Sequence, residues 1–119
     1  MSLPHDHGQQ IEALAAHLPE TGEFQAAAEL FRLLGDGSRI RVFWLLCHGE
    51  ECVINLSAMM EMSSPAVSHH LKQLRAAGLI VSRRDGKEVY YKAADSDQSR
   101  LLHEMIEDMV KITCPDTQG

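Results

Sequence analysis

The stretch that most constrains this chain runs from Ser63 to Ala93, a short helix with its own start and stop followed at once by a hairpin. Ser64-Pro65 is the start: a hydroxyl that accepts a backbone N–H at the N-cap, then proline at the first helical position, where its missing N–H costs nothing. Gly78 is the matching stop. Between them Val67, Leu71 and Leu74 fall on one face at intervals of four and three, so Ser68, His69, Lys72, Gln73 and Arg75 must point elsewhere. Beyond the glycine, Ile80–Arg84 and Lys87–Lys92 flank Asp85-Gly86, a pair suited to a two-residue type I′ turn, and the tip reads Arg-Arg-Asp-Gly-Lys.

The segments before and after are read by the same rules. Residues 1–8, with Pro4 and Gly8, read as a flexible tail, and Gln9–Leu18 as a short amphipathic helix halted by Pro19. Phe24–Leu34 carries apolar residues at helical spacing. Ser38 is placed to cap a helix over Arg39–Cys47, ended by Gly49, and Cys52–Ile54 is briefly extended. Asn55 is placed to cap the helix that reaches about Glu61, just before the tight break at Met62-Ser63-Ser64. A last helix is capped within Asp95–Asp97 and bears a stripe of Leu101, Leu102, Met105, Ile106, Met109 and Val110.

A chain of 119 residues is expected to form a single domain, here 9–119, with the helix-turn-helix at about 55–78, the hairpin at about 79–93 and the last helix at about 96–112. No apolar run approaches the roughly 20 residues of a membrane span, and no secretory signal is visible, which predicts a cytoplasmic protein. Three cysteines, Cys47, Cys52 and Cys114, are too few for a disulfide scaffold and fit a reducing compartment as thiols. The net charge of −6 speaks against nucleic acid until its distribution is considered. Residues 63–92 hold six Lys and Arg against two Asp and Glu, a local +4, whereas the remainder holds five against fifteen, −10. That asymmetry marks a local anion-binding face.

Helix, tight turn, helix and basic hairpin make a winged helix-turn-helix: mainly α with a small β-hairpin, its second helix laid in the DNA major groove. Ser64, Ser68, His69 and Gln73 suit base edges and the groove, while Lys72, Arg75, Arg83, Arg84 and Lys87 suit phosphates or the minor groove. Catalysis is excluded at the level of motifs, since there is no Gly-rich phosphate loop, nucleophile elbow or His-Glu-x-x-His. The last helix is apolar over more than one stripe, which predicts a homodimer through the N- and C-terminal helices.

The blocks "LFRLLGDGSRIRVFWLL", "SPAVSHHLKQLRAAGLI" and "RRDGKEVYYKAAD" resemble those of the ArsR/SmtB family of metal-sensing repressors, over roughly Phe24 to Val110. The resemblance implies a homodimeric repressor of double-stranded DNA with an imperfect inverted-repeat operator, released when a metal ion binds. It also implies that Ser68 and His69 face the DNA. The family's thiol sensor reads Glu-Leu-Cys-Val-Cys-Asp-Leu, and this chain has "EECVINL", with Cys52 at the first thiol position and Ile54 at the second. Cys47, Cys52 and Cys114 are the candidate ligands for zinc, cadmium, lead or arsenite, ions that thiolates favour. The family's second site maps onto Asp95, Asp97, Asp108 and Lys111, where the lysine replaces a ligand; a shifted set using His103 and Glu107 stays open, as does a contribution from His5 and His7. Two alternatives remain at this level. One is a winged-helix repressor switched by thiol oxidation, and the other is a metal-buffering protein that ignores DNA.

Overall fold

A computed structural model describes residues 4–5 and 10–113. The chain divides into two compact units, residues 1–31 and 32–119. The first contains α1 (Ile11–Ala15) and most of α2 (Thr21–Leu33). Helix α1 is shorter than expected: its last backbone bond, His17 N–H to Leu14, leaves Leu18 outside it. Neither helix buries a residue, and Ile11, Leu14, Leu18, Phe24 and Phe31 are all more than half exposed.

The second unit runs α3 (Gly37–His48), β1 (Glu51–Cys52), α4 (Val53–Met60), α5 (Ser64–Ala76), β2 (Ile80–Asp85), β3 (Glu88–Ala93) and α6 (Asp97–Thr113). Its core is drawn from every helix: Val42, Phe43 and Leu46 of α3, Leu56 and Met60 of α4, Val67, Leu71 and Leu74 of α5, and Leu102 and Ile106 of α6. Leu79 and Ile80 complete it where α5 passes into the sheet. The architecture is mainly α with a small antiparallel sheet, as the sequence predicts. The sheet has three strands rather than two, in the order β1-β3-β2. Glu51 and Cys52 pair with Tyr91 and Tyr90, a strand too short to leave any periodicity in the sequence.

The caps differ from expectation by one to three residues. Asp36, not Ser38, caps α3, its carboxylate accepting the Arg39 N–H at 3.0 Å. Helix α4 starts at Val53, so Asn55 lies inside it and donates its side-chain amide to Glu51 at 2.8 Å, while Cys52 holds the N-cap. Ser63, not Ser64, caps α5 by accepting the Ala66 N–H at 3.2 Å, which puts Pro65 in the second position; no intrahelical N–H is needed there either. Ser96 caps α6, its hydroxyl accepting from Ser99 N–H. The hairpin loop is Gly86-Lys87, since Asp85 and Glu88 are themselves paired. Gly86 has φ 65° and Lys87 lies outside the positive-φ set, the signature of a II′ rather than a I′ turn.

Gly78 ends α5 at φ 77°. The N–H groups of Leu79 and Gly78 return to the carbonyls of Leu74 and Arg75, the paired bonds of a Schellman motif, and buried Leu79 and Leu74 close it. This termination aims the chain straight into β2. It therefore fixes the wing relative to α5.

Candidate nucleic-acid interface and a histidine cluster

The buried face of α5 forces its other face outward, and Ser64, Ser68, His69, Lys72 and Arg75 are exposed there. Ser64 Oγ lies 3.1 Å from Ser57 Oγ of α4, a polar link across the tight turn between the two helices. Gln73 sits lower, half-buried, and its carbonyl oxygen is inaccessible and without a partner among the described residues. On the wing, Arg84 and Lys87 are exposed. The ion pairs of the described residues engage none of Lys72, Arg75, Arg84 and Lys87, so four cations stand uncompensated on one segment.

Arg83, expected among the DNA contacts, already has a carboxylate. Its Nε and Nη2 donate to the two oxygens of Glu50 at 2.8 and 2.7 Å, a bidentate pair, and its guanidinium lies 4.9 Å from the centre of the Tyr90 ring. The Arg83 fork holds the Glu50 carboxyl below its ordinary range. Arg83 thereby ties strand β2 to the loop after α3. Glu50 carried no signal of this in the sequence, because its partner is 33 residues away. Beneath the α5 surface, His70 is buried, and its Nδ1 has no partner among the described residues. Burial lowers its proton affinity, and Arg39 and His69 add to that effect against the pull of Asp36.

Two of the three candidate sensor thiols lie among the described residues. Cys47 is half-buried near the end of α3, and its thiol is pushed up to about 11 by burial and by the Glu107 carboxylate. Cys52 is half-buried at the α4 N-cap, and Cys114 lies outside the described residues, as does His7. Asp95 and Asp97 both accept from the Arg100 guanidinium, the latter at 2.6 Å. Those two carboxylates are therefore already matched by a cation, and Asp108 is exposed.

Three other side chains do converge. His48 ends α3, and His103 and Glu107 stand one turn apart on α6, which packs against it. His103 Nε2 lies 2.9 Å from Glu107 Oε1 and 3.1 Å from His48 Nε2, and His48 Nε2 lies 3.2 Å from the same carboxylate oxygen. The Trp44 indole N–H also donates to that oxygen at 3.2 Å, and the Trp44 ring packs on the His48 ring at 4.4 Å. Hydrogen bonding with His103 first, then with the Trp44 N–H and His48, holds the Glu107 carboxyl below its ordinary range. Among the described residues this is the one group of three or more His, Cys, Asp or Glu whose ligand atoms lie within 4.8 Å of one another. A solvent-open cavity of about 370 Å³ borders it, lined in part by Cys47, Glu50, Lys92 and Arg100. Sequence reasoning reached His103 and Glu107 but not His48, since nothing in spacing joins residues 55 apart.

A recognition-type helix, a basic wing on its C-terminal side and a polar cluster between the flanking helices define a winged helix-turn-helix regulator. The profile described as "Bacterial regulatory protein, arsR family" matches residues 36–82. A transcriptional repressor described as an SmtB homolog from Synechocystis is 37% identical over 99 residues, covering 83% of this chain and 75% of that protein. The arsenical resistance operon repressor of Escherichia coli is 39% identical over 70 residues, 58% of this chain and 60% of that one. Among solved structures, the homodimeric winged helix-turn-helix DNA-binding domain of a possible ArsR-family regulator from Mycobacterium bovis superposes with a TM-score of 0.66 at 24% identity, covering 93% of this chain and 92% of that one. The chain belongs to the ArsR/SmtB family: it is a DNA-binding transcriptional regulator and not an enzyme.

Proposed function

We propose that this protein is a homodimeric repressor that reads an imperfect inverted-repeat operator through α5 and the wing, and lets go when a metal or metalloid ion binds. The observation that carries this reading is the uncompensated set Lys72, Arg75, Arg84 and Lys87 around exposed Ser68 and His69. Cations without internal partners are what a phosphate backbone exchanges for its counterions, and short hydroxyl and imidazole groups are what base edges accept. Ser64 and the amide of Gln73 flank this surface, and Arg83 acts as the strut that holds the wing in place.

Dimerisation draws support from the outer face of α6, where Leu101, Met109, Val110 and Ile112 are all more than half exposed. A two-fold dimer would set two α5 helices about 34 Å apart, one DNA turn. We place the protein in the cytoplasm, with residues 9–119 acting as one regulatory domain after a short tail; no helix among the described residues is long and apolar enough to cross a membrane. The names of its relatives favour an ionic inducer, and the thiols Cys47, Cys52 and Cys114 are one source of ligands for zinc, cadmium, lead or arsenite. A thiol-oxidation switch would draw on the same three cysteines.

Fluorescence anisotropy of the reduced, metal-free protein on DNA from its own upstream region tests this. Binding should weaken steeply with salt, and Lys72→Ala should reduce the slope of log K against log salt by about 0.9 for each lost phosphate contact. A salt-independent interaction, or none, would remove the regulator reading.

A further inference from the structure

The cluster between α3 and α6 crowds more nitrogen onto one carboxylate oxygen than its two lone pairs can serve. His48 Nε2, His103 Nε2 and Glu107 Oε1 form a triangle with sides of 2.9, 3.1 and 3.2 Å. Both imidazole nitrogens face the same oxygen and each other. If both carry a proton to give to Glu107, three N–H groups with that of Trp44 crowd one oxygen that has two lone pairs; if one does not, its own lone pair faces the carboxylate oxygen with at most a share of its neighbour's proton. A cation just above the plane of the triangle satisfies all three lone pairs together. With metal–ligand bonds of about 2.0–2.1 Å, neighbouring ligand atoms stand about 2.9 Å apart at right angles and about 3.3 Å apart at the tetrahedral angle. The observed triangle lies between these limits.

We propose that His48, His103 and Glu107 form, within one chain, a binding site for a divalent transition-metal ion of borderline softness such as zinc, cobalt or nickel. Two imidazoles and one carboxylate suit these ions, whereas arsenite and lead call for sulfur that this triad lacks. The Trp44 N–H on Glu107 Oε1 and the Trp44 ring against His48 orient two of the three ligands, the part that outer groups play at metal centres. The side chains of His48, His103 and Glu107 are 47%, 29% and 35% exposed, which leaves an entry path and open coordination positions for water. The site also bridges two rigid elements, since α3 and α6 are both anchored in the core by Val42, Phe43, Leu102 and Ile106.

That the ion acts as inducer rests on the repressor reading above. His48 is two residues from Glu50, the carboxylate that holds Arg83 of the wing. An ion that clamps the end of α3 to α6 therefore acts on the strut that positions the DNA-binding hairpin. The coupling needed is modest: about 1–3 kcal/mol changes DNA affinity 5- to 150-fold.

The test uses the full-length, tag-free, reduced protein. Cobalt(II) binding is followed by its visible absorption and zinc binding by competition with a chromophoric chelator, for the wild type, for His103→Gln, for Glu107→Gln and for a Cys47→Ser, Cys52→Ser, Cys114→Ser triple variant. One ion per chain is expected. The His103 and Glu107 variants should each lose at least the roughly 10- to 100-fold in affinity that even outer-shell partners are worth, with unchanged circular dichroism, while the triple serine variant keeps the site. Undiminished binding in His103→Gln and Glu107→Gln, or loss confined to the serine variant, overturns the proposal. DNA anisotropy run in parallel separates the two readings: His103-dependent zinc binding in a protein that never binds DNA would sink the regulator and leave the site, and the converse would sink the site and leave the regulator.

Discussion

Single residues here are decided by which partner reaches them first. His70 stands next to His69 in sequence, yet one is buried under α5 and the other exposed on it, because a helix turns 100° per residue and only one of the pair falls on the face with Leu71 and Leu74. Burial makes the neutral ring the stable form and lowers its pKa from the ordinary 6.5. Above about pH 6.5 both folded and unfolded chains hold it neutral and the fold keeps its full stability; as pH falls from there through the lower folded value, the unfolded chain takes up the proton more readily and stability is lost. Thermal melts between pH 8 and about pH 5 should therefore show a steeper acid decline for the wild type than for His70→Leu. Equal declines would place the effect elsewhere. Arg83 illustrates the limit of reading residues singly: as a wing arginine it looks like a phosphate ligand, and only the folded chain reveals the Glu50 carboxylate against it.

Elements were legible in proportion to their length and to the chemistry of their ends. Helix α5 announced itself through Ser-Pro at one end and Gly78 at the other, and its apolar spacing identified three of its four buried residues. The cap itself was displaced by one residue, because Ser63 and Ser64 offer the same hydroxyl and only the backbone turn decides which one meets the Ala66 N–H. Strand β1 overlaps the extended stretch expected over Cys52–Ile54 only at Cys52, since Val53 and Ile54 belong to α4 and two residues carry no pattern. The glycine stop carries a measurable consequence: at φ 77° a Cβ would meet no atom within 4 Å, so Gly78→Ala strains only the backbone. It should cost about 1–2 kcal/mol by urea denaturation, the penalty of a left-handed residue with a side chain. No loss of stability would mean that the Schellman turn does not hold α5 to the wing.

The whole molecule joins one basic segment to an otherwise acidic chain, and that division is visible in the sequence because the charges are contiguous along it. The histidine cluster was not, because His48 and His103 belong to segments separated by α4, α5 and the wing, and only the packing of α3 on α6 joins them. Fold class and the exposed polar face of α5 thus follow from local pattern, while the Arg83–Glu50 pair and the cluster at His48 follow from topology. The central claim remains that the exposed face of α5 reads base sequence. Its most direct test is the anisotropy-derived affinity of a Ser68→Ala, His69→Ala double variant for the upstream operator and for a scrambled duplex of equal length, at one salt concentration. The account predicts that the ratio of the two affinities falls at least about tenfold, each lost base contact being worth roughly 1–3 kcal/mol, while binding to the scrambled duplex holds. An unchanged ratio would contradict it and move the reading surface off α5.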